Sequence, residues 1–232
     1  MPTFEEIYAQ HAAEYDALVS REDYQGNLLP AIASVIPLDG IDVVEMGAGT
    51  GRVTRLLAPY IRSIRAFDRS AHMLTIAESS LRAALTQNWT LGTAENRALP
   101  VEAASADLVI AGWSFGHATE WQADRWRDEI GAAIHEMRRV IRPNGAMIII
   151  ETLGTGALQP NPPNQALANY YAYLENEHGF TRHAIATDYK FASLDEADHL
   201  VRFFFGDALA DSVQREKWVT LPEWTGVWSK RL

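Results

Sequence analysis

The sequence contains no cysteine and has no long apolar run. Without cysteine, disulfide bonds, thiolate metal ligands and a thiol nucleophile are all excluded. No apolar stretch approaches the roughly 20 residues that a membrane-spanning helix requires. The acidic first residues also lack the basic-then-apolar order of a signal peptide. We therefore expect a cytoplasmic protein that has no membrane partner.

Clustered positive charge is absent as well. The 30 acidic residues outnumber the 20 lysines and arginines, and the cations are dispersed along the chain. Because binding to a nucleic-acid backbone depends on clustered cations, we expect no nucleic-acid partner. The length of 232 residues, of which 47% are hydrophobic, fits a single domain with one large core.

The apolar pattern changes at residue 41. Residues 1–37 predict helical segments, whereas residues 41–152 alternate between short apolar strands and helices, which is typical of a parallel sheet covered on both faces. The predicted strands span residues 41–46, 64–67, 89–93, 106–111 and 146–152. The predicted helices span residues 51–58, 70–85 and 119–141. Ser70 caps the second of these helices, and a capping box of Thr119 and Gln122 begins the third.

The regular pattern weakens after residue 152. Residues 153–190 contain a Gly/Pro-rich loop and predict a lid or an insertion. Residues 191–232 predict a helix that begins with a capping box of Ser193 and Glu196, and then a last strand or hairpin that completes the sheet. We therefore expect one α/β domain beneath a helical N-terminal cap.

A glycine-rich turn follows the first predicted strand, in the sequence VVEMGAGTGRVT at residues 43–54. Arg52 stands where the phosphate-binding and dinucleotide-binding patterns require glycine, so neither motif fits. Glu45 would repel a pyrophosphate and suits a cationic group. Gly47 and Gly49 allow a ligand to approach the backbone, and the helix that begins at Gly51 could receive a carboxylate. The turn therefore predicts a zwitterionic or cationic ligand.

Two acidic residues further along the chain fit an adenosine. Asp68 ends the second strand about twenty residues beyond the turn, the position typical of an acceptor for ribose hydroxyls. Glu95, in the turn after the third strand, could accept a hydrogen bond from an adenine amino group. Capping of a loop or helix is the alternative role for Asp68, and simple solvent exposure is the alternative for Glu95.

Together these segments resemble the class I S-adenosylmethionine-dependent methyltransferases, over roughly residues 41–152. The segments that carry the resemblance are VVEMGAGTGRVT, AFDRSAHML, GTAENRALP, ADLVIAGWSFGH and MRRVIRPNGAMIIIET. The chain is similar above all to the small-molecule methyltransferases of the ubiquinone/menaquinone C-methyltransferase kind. The resemblance implies a Rossmann-like, doubly wound, mostly parallel sheet of seven strands with helices on both faces. It also implies S-adenosylmethionine as the cofactor, S-adenosylhomocysteine as its product and a small-molecule methyl acceptor.

The resemblance implies roles for individual residues. The methionine part of the cofactor would contact the glycine turn and the end of the fourth strand, and the adenosine would contact the ends of the second and third strands. The implied cofactor-binding residues are Tyr15, Glu45, Gly47, Ala48, Gly49, Gly51, Asp68, Arg69, Met73, Ala94, Glu95, Ala111 and Gly112. Tyr8 is a second candidate for the N-terminal tyrosine that closes over the cofactor in this family.

The expected reaction is an in-line displacement, which needs a general base only when the acceptor carries a proton. His117 is our candidate for that base, with capping or packing before a helix as the alternative. An aromatic cover suits a partly apolar acceptor, and O-, N- and C-methylation all stay open. The candidates for this cover are Tyr8, Tyr15, Tyr24, Trp113, Tyr170, Tyr171 and Tyr173. We expect a monomer or a homodimer.

Other readings stay open. The sequence GWSFG at residues 112–116 matches the nucleophile elbow of serine hydrolases, in which Ser114 would act with, for example, Asp188 and His199. A nicotinamide-dependent dehydrogenase and a protein that binds the cofactor without catalysis are further alternatives. The sequence HEMRR at residues 135–139 lacks the second histidine of a zinc motif, so we expect no metal.

Overall fold

The structure is a computed structural model that describes residues 3–84 and 86–232. Short apolar and β-branched runs form the strands, as their composition favours. The strands are β1 (Asp42–Met46), β2 (Ser63–Asp68), β3 (Trp89–Thr93), β4 (Ala106–Gly112), β5 (Ile141–Thr155), β6 (Thr181–Ala186), β7 (Tyr189–Lys190), β8 (Thr220–Leu221) and β9 (Glu223–Arg231). Each of the five strands predicted between residues 41 and 152 is therefore present.

One sheet holds seven of these strands in the order β3-β2-β1-β4-β5-β9-β6 within the described residues. The neighbours from β3 to β5 are parallel, whereas β9 runs antiparallel to both β5 and β6. β7 and β8 pair with each other outside this sheet. The arrangement confirms the predicted mostly parallel, doubly wound fold. The strand order reverses beside β1, and such a reversal leaves a crevice at the carboxyl ends of the strands.

Helices cover the sheet on both faces. They are α1 (Phe4–Gln10), α2 (Ala12–Val19), α3 (Leu28–Val35), α4 (Arg52–Leu57), α5 (Ala71–Ala83), α6 (Ala118–Trp121), α7 (Trp126–Val140), α8 (Gln165–Asn176), α9 (Leu194–Phe205) and α10 (Asp207–Glu216). A break at His11 separates α1 from α2 within the region predicted to be helical, residues 1–37. Leu85, the predicted end of α5, lies outside the described residues.

The predicted capping box at the start of α7 is wrong. The Thr119 hydroxyl donates to the carbonyl oxygen of Gly116 at 2.7 Å, and neither α6 nor α7 has a side-chain hydrogen bond at its N-cap. Thr119 lies in α6, and α7 begins only at Trp126. The predicted apolar face of α7 is nevertheless present, because Ile130, Ile134 and Met137 are all buried.

The other predicted caps are present in whole or in part. Ser70 Oγ accepts a hydrogen bond from Met73 N at 3.3 Å and caps α5 as predicted. Ser193 Oγ accepts from Glu196 N at 3.1 Å at the start of α9. The Glu196 carboxylate, however, accepts from Ala192 N, one residue before the cap, so the reciprocal half of the predicted box is wrong.

Alternate residues of the strands pack against opposite faces of the sheet. Val44, Val109 and Ile149 belong to a core beneath α7 and α8, while Val43 and Ile148 belong to a core beneath α3 and α4. The first core also contains three residues predicted as an acceptor cover, Tyr170, Tyr171 and Tyr173. That prediction is wrong for these tyrosines, because the inward face of α8 buries them against the sheet.

Candidate functional site

A cavity of about 340 Å³ opens at the carboxyl ends of β1, β2, β3 and β4, where the strand order reverses. Its volume lies within the range of small-molecule binding sites. The segments that line it are α1, α2, the β1–α4 turn, the start of α4, the end of β2, the turns after β2 and β3, α5, residues 112–122 and α7. Residues 153–190 contribute no lining side chain, so the predicted lid segment does not cover the cavity.

The cavity brings together most of the predicted site residues. Those that line it are Tyr15, Glu45, Gly47, Ala48, Gly49, Asp68, Arg69, Met73, Ala94, Glu95, Gly112 and His117. Gly51 and Ala111 do not line it, so the structure does not bring these two predicted residues together with the others. A Cβ at Gly51 would lie 3.0 Å from the Cβ of Ala77, so this glycine permits α4 and α5 to pack closely. Ala111 is buried within β4.

The glycine turn has a backbone that other residues rarely adopt. Gly47 and Gly49 have φ angles of +68° and +55°. A Cβ on Gly47 would lie only 2.0 Å from Ser114 Oγ, so the turn packs directly against the end of β4. Gly49 N donates to Asp68 Oδ2 at 2.8 Å, which fastens the turn to the end of β2. The turn is therefore held in place before any ligand binds.

Glu45 lies at the floor of the cavity and is buried. Its carboxyl group accepts a hydrogen bond from the Thr54 hydroxyl at 2.5 Å. Burial raises the pKa of Glu45 to about 8, and the nearby charge of Asp68 acts in the same direction. Because burial penalises the charged form, a cationic group beside Glu45 would restore the ionised carboxylate.

Asp68 combines a structural role with a place in the cavity. Its two carboxylate oxygens accept hydrogen bonds from Gly49 N and Ser70 N, each at 2.8 Å. Burial raises its pKa above the usual value. A carboxylate oxygen can accept more than one hydrogen bond, so the loop contacts leave capacity for ligand hydroxyl groups. Glu95 also lines the cavity. It is exposed, which agrees with the alternative prediction of a solvent-exposed glutamate.

His117 lies under α1, in contact with three aromatic rings. Its Nε2 is 2.9 Å from the Tyr8 hydroxyl, and its ring stacks on Trp121 at a centroid distance of 4.6 Å. Phe4 packs against the same imidazole at 5.7 Å. Burial lowers the pKa of His117 to about 4, and the charge of Arg69 acts in the same direction. The imidazole is therefore neutral at physiological pH.

Aromatic side chains from the N-terminal helices cover the cavity. The rings of Tyr8 and Tyr15 meet edge to face at a centroid distance of 5.3 Å, and Tyr8 also contacts Trp121. Both tyrosines line the cavity, as the sequence predicts. Tyr24, another candidate for the cover, is instead 54% exposed and does not line it.

Arg52 is a cavity-lining residue that the sequence reasoning missed, since it was treated only as a departure from phosphate motifs. Its Nη1 donates to Glu22 Oε2 at 2.7 Å, and its guanidinium carbon lies 3.7 Å from the centre of the Trp113 ring. Its Nη2 is buried without a hydrogen-bond partner. Its position in the sequence, a positively charged residue directly after a glycine turn that is predicted to bind a ligand, could have identified Arg52 as a site residue.

Ser114 is not arranged as a hydrolase nucleophile. Its hydroxyl accepts a hydrogen bond from Asn96 Nδ2 at 2.9 Å. Asp188 accepts from Glu223 N and Gln25, and His199 is exposed on α9. Neither residue hydrogen-bonds to Ser114 in the described part of the chain, so the serine hydrolase reading is wrong.

The described residues, 3–84 and 86–232, contain neither a membrane-spanning helix nor a cluster of metal-binding side chains. No helix among them has the length and apolar character needed to cross a membrane. No group of three or more histidine, aspartate and glutamate side chains gathers there as a metal site.

Comparison with known families agrees with the fold and the cavity. Residues 44–149 match the family model described as "Methyltransferase domain". That segment includes the glycine turn, Asp68 and the end of β4, which supply much of the cavity wall. Residues 44–149 are therefore similar to methyltransferase domains, and this segment carries the glycine turn and much of the cavity.

The individual relatives that the chain matches include two named methyltransferases. The ubiquinone/menaquinone biosynthesis C-methyltransferase UbiE of Rubrivivax gelatinosus is 30% identical over 148 residues, or 62% of this chain and 54% of that protein. A malonyl-[acyl-carrier protein] O-methyltransferase of Serratia marcescens is 27% identical over 66% of this chain and 53% of that protein. The chain spans about half the length of the curated relatives it matches.

A solved structure supports the fold alone. The YcgJ protein of Bacillus subtilis matches with a TM-score of 0.57 at 12% sequence identity. The match covers 89% of this chain and 98% of that one.

The residues present fit S-adenosylmethionine, the methyl donor of this class. Buried Glu45 offers a carboxyl group to a cation. Gly49 leaves its backbone open to the cavity, since an added Cβ would meet only Met73, at 3.5 Å. The unpartnered Nη2 of Arg52 offers a donor to an anion. The wall thus provides groups of both signs, as a zwitterionic ligand requires.

Proposed function

We propose that the protein transfers the methyl group of S-adenosylmethionine to a small-molecule acceptor. The observation that carries the proposal is the meeting of the glycine turn, Glu45 and Asp68 in one cavity of a methyltransferase domain. The limited volume and the aromatic cover favour a small, partly apolar acceptor. The names of the curated relatives, which concern quinone biosynthesis and a carrier-bound acyl group, support the same class.

In this proposal the wall of the cavity divides between the two halves of the cofactor. Glu45 and the turn from Gly47 to Gly49 hold the methionine part, and Asp68 binds the ribose hydroxyls. The residues proposed to complete the site are Tyr15, Arg69, Met73, Ala94, Glu95 and Gly112. The assignment is supported by their common place on one cavity wall.

The protein contributes alignment and the exclusion of water. The bound cofactor supplies a methyl group on a positively charged sulfur, which is already activated for displacement. Catalysis then depends on holding the acceptor in line and on keeping water out of the site. Tyr8, Tyr15 and Trp121 form an apolar cover that suits both tasks.

His117 is proposed as the general base for an acceptor that carries a proton. Burial keeps the imidazole neutral at physiological pH, the form that accepts a proton, and its low pKa of about 4 makes it a weak base. In this structure the Tyr8 hydroxyl forms a hydrogen bond with Nε2 of His117. An acceptor hydroxyl would therefore replace Tyr8 at that nitrogen, and the released proton would reside on the imidazole.

Calorimetry with S-adenosylmethionine, S-adenosylhomocysteine and NAD tests the donor. We expect the first two to bind in the micromolar range or tighter and NAD not to bind. Asp68→Ala should weaken both complexes, whereas Asp39→Ala, in an exposed turn before β1, should leave them unchanged. Binding of NAD alone would contradict the proposal and favour a dehydrogenase.

Transfer itself is tested with a cofactor that carries a labelled methyl group. The protein and this cofactor are incubated with a metabolite extract, and labelled products are separated by chromatography and identified by mass. We expect label in a small organic product that is absent when the protein is omitted. Tight cofactor binding with no labelled product in any fraction would favour a protein that binds the cofactor without catalysis.

A further inference from the structure

We propose that Arg52 binds the carboxylate of the methionine part of the cofactor. The inference rests on the proposed function, because it assigns one chemical group of the proposed cofactor to one side chain. In the sequence Arg52 is only the residue that follows the last glycine of the turn.

The guanidinium of Arg52 has hydrogen-bonding capacity that the protein leaves unused. Nη1 donates to Glu22 Oε2 at 2.7 Å, whereas the buried Nη2 has no partner. A buried donor without an acceptor is costly, and hydrogen bonds between charged groups are stronger than those between neutral groups. Arg52 lines the cavity although Nη2 itself is buried, so in this proposal a small movement of the cavity wall brings an acceptor of the ligand against this donor.

The surroundings of Arg52 fix the direction of its guanidinium. Glu22 holds one side of the group, and Glu22 is itself held by a bond from the Tyr189 hydroxyl at 2.7 Å. The Trp113 ring covers one face of the guanidinium at 3.7 Å. Trp113 has a φ of +49°, which is rare for an aromatic residue. This arrangement orders the cation in advance, so little entropy is lost when an anion binds.

The charges along the turn match an amino acid better than a phosphate. Glu45 precedes the glycine turn and Arg52 follows it, and both side chains line the cavity. An ammonium group fits beside Glu45, and a carboxylate fits the flat, forked guanidinium of Arg52. A pyrophosphate would bring more than one negative charge into a cavity that Glu45 and Asp68 also line, and it would prevent Glu45 from ionising.

The other arginines that line the cavity are used differently. Arg69 lies 5.5 Å above the Trp121 ring, and Arg97 pairs with Glu129 at 3.4 Å. Arg69 and Arg97 are exposed to solvent, whereas the Arg52 side chain is only 16% exposed. A carboxylate therefore gains most beside Arg52, where solvent screens the interaction least.

The experiment compares S-adenosylmethionine with its decarboxylated analogue, which keeps the sulfonium and the ammonium but lacks the carboxylate. Calorimetry is carried out on the whole chain with each compound. We expect Arg52→Met to weaken the binding of S-adenosylmethionine about tenfold or more and to change the binding of the analogue less than about threefold. The wild-type preference for the carboxylated compound should thus largely disappear.

Two further variants separate this role from a role in folding. Arg55→Met alters another arginine of α4, which pairs with Asp16 at 3.1 Å and does not line the cavity. It should leave the preference intact. Arg52→Met leaves Glu22 buried without its cation, so the double variant Glu22→Gln, Arg52→Met keeps the interior neutral. This double variant should fold and should show the same lost preference.

Three other results of the calorimetry would contradict the assignment of the carboxylate to Arg52, and each would do so for a different reason. Equal weakening of both compounds by Arg52→Met would assign Arg52 a purely structural role. An unchanged preference in both Arg52 variants would place the carboxylate elsewhere in the cavity. If the wild-type protein bound neither compound, the proposed function would fail first and the inference with it.

Discussion

Glu45 is a carboxyl group whose charge depends on what lies beside it. Without a ligand, burial raises its pKa to about 8, so the group is mostly protonated at pH 7. A bound ammonium or sulfonium favours the carboxylate and lowers that pKa. Cofactor binding at pH 7 should therefore release a proton, and affinity should rise as the pH increases from about 6.5 toward 8.

Calorimetry in two buffers of different ionisation enthalpy measures this proton release directly. We expect a release that decreases above pH 8, where Glu45 is already ionised before binding. Glu45→Gln should abolish most of the release and weaken binding. Thr54→Val removes the hydrogen bond to Glu45 and keeps the carboxyl group, so it should change the release only slightly. Proton uptake at pH 7 would contradict the prediction.

His117 allows a second test on a single residue. His117→Ala should lower kcat by about a hundredfold or more for an acceptor that carries a proton, because a general base contributes about that factor. The affinity for S-adenosylhomocysteine should change less than about threefold. Steady-state rates and calorimetry on the same preparations check both statements.

Tyr8→Phe is the matched control for His117. It removes the hydrogen bond to Nε2 and keeps the aromatic cover. It should lower kcat far less than His117→Ala does. Equal losses of rate and cofactor affinity in His117→Ala would assign the histidine to packing against Trp121 instead.

At the scale of elements, the strands are predictable and the helix starts are less so. The central strands β1 and β4 are short, mostly apolar runs, and burial on both faces of a parallel sheet selects such runs directly. The start of α7 is not predictable from Thr119, because its hydroxyl binds a carbonyl three residues earlier. The sequence pattern of a capping box contains no information about that competing bond.

Some residues of the site are likewise predictable from the sequence, and others are not. Glu45, Gly47 and Asp68 lie in a local pattern of strand, turn and strand, so their meeting follows from the sequence. The pairing of Arg52 with Glu22 depends on how the N-terminal helices dock onto α4, which no local pattern specifies. Likewise, the tyrosines of α8 face the core because of the direction of that helix, which composition alone does not reveal.

Ser70 connects helices α1 and α5, and we expect its substitution to lower the stability of the protein. Its hydroxyl oxygen caps α5 and also donates to the carbonyl oxygen of Tyr8 in α1, at 3.2 Å. Ser70→Ala should lower the free energy of unfolding by about 1 kcal/mol, as lost caps do. Chemical denaturation measures this loss. Thr75→Ala, which removes a hydroxyl bound within the same helix, should change stability by less than about 0.5 kcal/mol.

For the whole molecule, buried carboxyl groups set the response of stability to alkaline pH. Burial raises the pKa of Glu45 to about 8 and that of Glu151 to about 7, and it raises the pKa of Glu223 as well. Above pH 6.5 the folded state holds protons on these groups that the unfolded state has lost. The free energy of unfolding should therefore fall as the pH rises from about 6.5 to 8.5.

Glu151→Gln tests this trend, because Glu151 does not line the cavity. The variant should lose less stability than the wild type over the same pH interval, by roughly 1 kcal/mol. Urea denaturation at several pH values measures the difference. Glu102→Gln, at an exposed position, should follow the wild-type curve. A wild-type stability that is flat or rises across this interval would contradict the assignment.

The break at His11 divides the cover of the cavity into two parts that are held differently. Ion pairs of Asp16 with Arg55 and of Glu22 with Arg52 fasten α2 and the turn after it to α4. Within the described residues, α1 has no ion pair to another element and is held by Tyr8, Ser70 and aromatic contacts. If α1 opened alone, the cavity would admit an acceptor while the side next to Arg52 stayed covered. Under the proposed function we therefore expect an ordered sequence in which the donor enters first and its product leaves last, as product-inhibition kinetics would measure.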